Sequence, residues 1–160
     1  MDVEIFAKPG YLINRSARLL ARWGDGRFRA LGLAIAQVPV LAALKDGVAK
    51  TQKELAQLVQ IEQPTMAQLL ARMERDGLVR RNPDPKDKRS SKVSLTPIAQ
   101  KKLPAARAVL LQGNAAALQG FTDREVATLS RLLTRVVNNL AAATEDSTLA
   151  VPGASGKTVT

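Results

Sequence analysis

Apolar positions recur at helical spacing along most of this chain and alternate at strand spacing in one short stretch. The strongest run is Leu129, Leu132, Leu133, Val136, Val137 and Leu140, at i, i+3, i+4, i+7, i+8 and i+11, one stripe of an amphipathic helix. Thr122-Asp123-Arg124-Glu125 just before it is a capping box. A second stripe, Met66, Leu69, Leu70 and Met73, predicts a helix from about Pro64 to Asp76. Pro64 presets φ for its first turn, and Gly77 supplies the left-handed residue that ends it. Upstream, the capping box Thr51-Gln52-Lys53-Glu54 starts a helix at Gln52 with Leu55, Ala56 and Leu58 on its apolar side. Val59-Gln60-Ile61 is then the buried turn between two packed helices. After Gly77, Leu78 to Asn82 and Lys92 to Leu95 read as a hairpin with Val93 and Leu95 pointing inward, its tip running from Pro83 to Ser90.

The flanks are helical too. Gly10 to Arg22 carries Leu12, Leu19 and Leu20 beside Arg15, Arg18 and Arg22. The glycines of Trp23-Gly24-Asp25-Gly26, each costing about 1 kcal/mol against Ala in a helix, predict weakening or a bend there. Ile35 to Lys45 is expected to be a helix burying Val38, Leu41, Ala42 and Leu44, with Pro39 in its first turn. Pro97 to Gln119 is a long Ala/Leu-rich helix with a bend expected at Pro104. Residues 144–160 are small and polar and read as a disordered tail. The expectation is a mainly α fold with a small β wing: a winged helix-turn-helix DNA-binding domain over 34–96, with helices 1–33 and 97–143 forming a dimerisation layer. A two-fold dimer would place two recognition helices about one DNA turn apart, on a pseudo-palindrome.

Charge narrows the choice of partner. The 160 residues, 46% hydrophobic and 24% charged, suit one compact soluble unit, but the net charge of +10 favours an anionic partner. From Arg72 to Lys102 there are ten Lys/Arg against four acids. On the predicted second helix of the motif, Gln63, Thr65, Gln68, Arg72 and Arg75 face outward, residue types that reach base edges or phosphates. No apolar run approaches the roughly 20 residues that span a bilayer, and the start, Met1-Asp2-Val3-Glu4, lacks the basic and apolar regions of a signal peptide. A cytoplasmic protein with no membrane partner is expected. The sequence has no Cys and no His, which excludes thiol redox sensing, disulfides, Cys/His zinc sites and nearly all triad chemistry. With no phosphate-cradling Gly loop and no paired carboxylates in an apolar setting, neither enzyme nor cofactor is expected.

The residues leave two readings open. One is a dimeric transcriptional regulator on palindromic duplex DNA. The other is a non-specific architectural DNA-binding or RNA-binding protein, although the few aromatics, Phe6, Tyr11, Trp23, Phe28 and Phe121, argue against single-strand stacking platforms.

Over residues 10–142 the pattern resembles the multiple-antibiotic-resistance regulator (MarR) family, and Ile61-Glu62-Gln63-Pro64-Thr65-Met66 with Glu74-Arg75-Asp76-Gly77-Leu78-Val79 resembles its SlyA-type members. The family's wing motif, Asp-x-Arg-Asp-x-Arg followed by Val-x-Leu-Thr, appears here as Asp84-Pro85-Lys86-Asp87-Lys88-Arg89 and Val93-Ser94-Leu95-Thr96. Lys86 departs from it, keeping the charge without the planar fork. The resemblance implies that Arg89 enters the minor groove with Asp87 holding it, and that Lys86 and Lys88 flank it. It places Gln63, Pro64, Thr65, Gln68, Arg72 and Arg75 at the major groove or its phosphates. It also implies a repressor released by a small aromatic acid or phenol, for which Tyr11, Arg15 and Arg18 are the candidate ligands' partners.

Overall fold

A computed structural model describes residues 3–84 and 91–149, and side chains within 4–84 and 91–144. After a 3-10 turn at Val3–Ala7, the helices are α1 (Pro9–Ala30), α2 (Val38–Ala43), α3 (Gln52–Val59), α4 (Gln63–Arg75), α5 (Pro97–Ala117) and α6 (Asp123–Leu149). A second 3-10 turn, Ile35–Gln37, precedes α2. The strands are β1 (Lys50–Thr51), β2 (Val79–Pro83) and β3 (Ser91–Leu95), in the antiparallel order β1-β3-β2. Residues 1–117 make one compact unit and residues 118–160 another.

The core of the first unit gathers the inner faces of α1 to α5, β2 and β3: Phe28 from α1, Val40 and Leu41 from α2, Leu55 and Ala56 from α3, the four-residue stripe of α4, Val79 from β2, Val93 and Leu95 from β3, and Ala99 and Ala106 from α5. Val38 and Leu41 are buried as expected, whereas Ala42 is exposed and Val40 is buried in addition; the expected helix opens as a 3-10 turn at Ile35–Gln37. Leu44 closes that segment in the core.

α1 and α5 each run as one helix across a segment where the sequence predicts a bend. α1 runs unbroken through Trp23–Gly26, where contacts one turn apart and one from Ile35 hold the segment. Asp25 pairs with Arg29 one turn on, the Arg27 guanidinium lies 3.8 Å from the centre of the Trp23 ring, and Gly24 is buried against Phe28 and Ile35. A Cβ at Gly24 would sit 3.1 Å from the Phe28 ring, so the glycine is there for close packing. α5 is likewise one helix with Pro104 inside it. Its buried residues, Ala99, Ala106 and Gly113, recur every seven positions, and Trp23 of α1 packs directly over Gly113.

In the second unit α6 begins at the predicted box, with the Glu125 amide donating to Thr122 Oγ1 (3.3 Å) and the Thr122 amide to Glu125 Oε2 (2.8 Å). The helix continues through 144–149, which the sequence assigns to a disordered tail. The Ala141–Ala143 run favours helix, and the Thr144 hydroxyl donates back to the Leu140 carbonyl at 2.8 Å. The remainder of that tail lies outside the described residues. No helix among the described residues is long and apolar enough to cross a membrane.

Candidate nucleic-acid interface

The helix-turn-helix is set by three local devices. Thr51 caps α3: its hydroxyl accepts from the Glu54 amide at 3.2 Å, while the Thr51 amide donates to Glu54 Oε2 at 2.6 Å. The Thr51 backbone bond and then its hydroxyl hold the Glu54 carboxyl below the usual carboxylate range, with Lys92 and Lys50 adding in the same direction. Gln60 ends α3 in the left-handed region (φ 56°), and the Ile61 amide closes on the Ala56 carbonyl at 3.1 Å. A non-glycine residue there costs roughly 1–2 kcal/mol, which the packing of half-buried Val59 and Ile61 against the core offsets. Pro64 then occupies the first turn of α4.

α4 is cleanly two-sided. Met66, Leu69, Leu70 and Met73 are at most 5% exposed. Gln63, Pro64, Thr65, Gln68, Arg72 and Arg75 are all exposed, so the structure gathers all six candidates on one helix and leaves them open. Arg72 and Arg75 make no ion pair among the described residues; the nearby acid Glu74 instead meets Arg81 of β2 at 3.4 Å. The sequence reading passed over Ala71, which is exposed beside Gln68 and Arg72. Its position three residues beyond Gln68 marks it, and a methyl there allows close approach to a groove and contact with a thymine methyl.

The wing is a regular antiparallel pair in which Arg80 faces Ser94, Arg81 faces Val93 and Asn82 faces Lys92. Alternation sends Val79, Val93 and Leu95 inward. Arg80 Nε donates to Ser94 Oγ at 3.2 Å, and Lys92 Nζ lies 3.5 Å from the buried Asp84. Lys86, Asp87, Lys88 and Arg89, the proposed wing tip, lie outside the described residues. At the base of the wing, the Thr96 hydroxyl donates to the Gly77 carbonyl at 2.6 Å and accepts from the Ala99 amide at 3.2 Å, tying the end of α4 to the start of α5.

The candidate effector residues fall elsewhere. Tyr11 is half-buried and meets Phe6 edge to face at 5.0 Å, Arg18 donates to Asn14 at 2.9 Å, and Arg15 is exposed. A cavity of about 320 Å3 opens between α1 and α5, lined by Leu20, Trp23, Phe28, Ile35, Val109 and Asn114 among others; it includes none of the three and no charged residue.

Comparison with known proteins agrees with this geometry. A family model described as the MarR family matches residues 31–90, the whole of the described helix-turn-helix and the first wing strand. An uncharacterised HTH-type transcriptional regulator of Bacillus subtilis, YwoH, is 33% identical over 120 residues, covering 75% of this chain and 87% of that protein. A second from the same organism, YybA, is 29% identical over 128 residues, covering 80% and 85%. Among solved structures, the transcriptional regulator SlyA shares the fold with a TM-score of 0.79 at 24% identity, covering 84% of this chain and 95% of that one. A mutant MarR from E. coli, complexed with operator DNA, gives a TM-score of 0.76 at 26% identity over 85% and 99%. A two-sided second helix, a basic hairpin wing and these relatives converge: the chain belongs to the MarR family of winged helix-turn-helix transcriptional regulators, DNA-binding proteins and not enzymes.

Proposed function

We propose that this regulator acts in the cytoplasm as a homodimeric repressor on a pseudo-palindromic operator, released by a small aromatic or phenolic ligand. The observation that carries the reading is α4, whose apolar stripe is buried while Gln63, Thr65, Gln68 and Arg72 stand open without competing ion pairs among the described residues. Amides and guanidinium groups on a helix fixed from behind give direct readout, and Arg75 with the wing cations Arg80, Lys86, Lys88 and Arg89 supplies phosphate and minor-groove contacts. Asp87 orients Arg89 in this reading.

The dimer is supported by α6, where Leu132, Leu133, Val137 and Leu140 stay exposed along one face. A second copy is the economical cover, and it would double the site. A mutant MarR from E. coli is a relative whose structure is complexed with operator DNA. For the effector, the cavity between α1 and α5 is of a size for a one-ring ligand, and its apolar lining with Asn114 as a polar group favours a phenol over a carboxylate. Tyr11, Arg15 and Arg18, on the same α1 but outside this cavity, are the proposed partners for an acidic ligand.

Selection of bound sequences from random duplex DNA, with the particle mass followed by light scattering, tests the reading. The expected outcome is an inverted repeat with half-sites about one helical turn apart, bound by a dimer, with affinity falling steeply with salt. Equal affinity for scrambled duplex or for single strands would instead make it an architectural or RNA-binding protein.

A further inference from the structure

The three-residue turn Ile35–Gln37 packs against both α1 and α4, and its two ends hold different partners. Ile35 Cδ1 sits over Gly24 of α1, where an added Cβ would lie 3.4 Å away. Gln37, 5% exposed, accepts from the Ala34 amide through Oε1 at 2.8 Å and donates from Nε2 to Asp76 Oδ2 at 3.0 Å. The amide has no freedom in this site. A backbone N–H can only donate and a carboxylate can only accept, so both ends of the Gln37 side chain are assigned by their partners.

Asp76 is the C-cap residue of α4. A carboxylate there meets the negative end of the helix dipole, so the helix itself gives it no reason to be present. Its bond to Gln37 does. Together with Glu74–Arg81 and Thr96–Gly77 it fastens the carboxyl end of the recognition helix, while the open Gln63–Gln68 end extends toward the groove. A 13-residue helix is about 20 Å long, so a tilt of about 3° at the fastened end moves the reading end by about 1 Å. That distance is comparable to the tolerance of a bidentate base contact.

We propose that Gln37 is a positioning residue for DNA readout: through Asp76 it sets the angle of the recognition helix against α1. It makes no contact with DNA itself. This rests on the reading that α4 recognises a specific duplex sequence, and the test separates the two.

Full-length wild type and the variants Gln37→Glu, Asp76→Asn, Gln37→Glu with Asp76→Asn, and Gln37→Met are titrated against the wild-type selected consensus and a scrambled duplex of equal length. The ratio of the two affinities is the readout, because it cancels the change in net charge. Gln37→Glu, which opposes two carboxylates, is expected to lower the ratio about tenfold, the scale of one lost bond to a charged group. Asp76→Asn, whose amide oxygen still accepts, stays within about twofold of wild type. The double variant, with the bond reversed in polarity and the net charge restored, recovers to within about threefold. Gln37→Met keeps the side-chain length without the amide and shows the same loss as Gln37→Glu, which covers the case in which the glutamate variant does not fold. An unchanged ratio in Gln37→Glu or Gln37→Met, or a double variant no better than Gln37→Glu, overturns the proposal. A wild type that selects no consensus overturns the specific-readout reading and this proposal with it.

Discussion

α4 and α6 carry the same sequence pattern and meet opposite fates. In α4 the stripe Met66, Leu69, Leu70 and Met73 is 0–5% exposed. In α6 Leu129 and Val136 of the stripe are half-buried, and Leu132, Leu133, Val137 and Leu140 are 44%, 38%, 48% and 63% exposed. A helical stripe states that something must cover one face, and leaves open whether that cover comes from the same chain. For α4 it comes from α3, β2 and the Ile35–Gln37 turn, which wrap it from behind and leave its other face exposed. For α6 the chain leaves the stripe open, and the proposed cover is a second copy.

The largest effect that would sharpen this contrast is Leu70→Ala. The residue is fully buried, so truncation is expected to destabilise the folded chain by about 2–5 kcal/mol, seen as a fall in the urea midpoint. A loss below about 0.5 kcal/mol would mean that the stripe of α4 is not the keystone of the core. The matching change in α6, Leu133→Glu with Leu140→Glu, is expected to leave helical content and the fold of residues 1–117 intact while halving the mass measured by light scattering. Affinity for a two-half-site operator should fall with it, because each copy then binds alone. A particle of unchanged mass would show that the stripe serves some other surface.

The two capping boxes give the smallest and subtlest test, since Thr51–Glu54 opens a helix packed into the core and Thr122–Glu125 opens α6. Thr51→Ala should cost about 1 kcal/mol in global stability. Thr122→Ala should chiefly fray the first turn of α6, read by amide hydrogen exchange. Glu54 adds a pH signature. Its carboxyl is lowered in the folded chain, so its stabilisation is complete above the ordinary value of 4.5 and disappears as pH falls through the lowered one. Glu54→Gln should therefore reduce the melting temperature at neutral pH, and the gap to wild type should narrow under acid. A gap independent of pH would remove the charge from the explanation. The group is almost fully exposed, so solvent screening keeps the effect small.

Much of the DNA-reading unit was legible because its instructions are local. Thr51 and Glu54 mark the start of α3, Pro64 and Gly77 bracket α4, and the i, i+3, i+4, i+7 spacing of Met66 to Met73 fixes which face of α4 is left exposed. Gln60 was less legible, since a left-handed turn built without glycine leaves no compositional mark. Ala71 was overlooked because reading by residue type favours hydrogen-bonding side chains over a methyl.

Local chemistry decided which segments of this chain are helices, where most of them start and which of their faces are apolar, because caps and periodicity act within one or two turns. Tertiary structure decided what neighbours do to those segments. Ile35, from the turn beyond α1, closes over Gly24, and Trp23 of α1 packs over Gly113 of α5. Gln37 reaches an acid 39 residues away that no spacing rule connects to it. Contacts of that kind depend on which surfaces meet after folding, and a one-dimensional pattern carries the surfaces without the meeting.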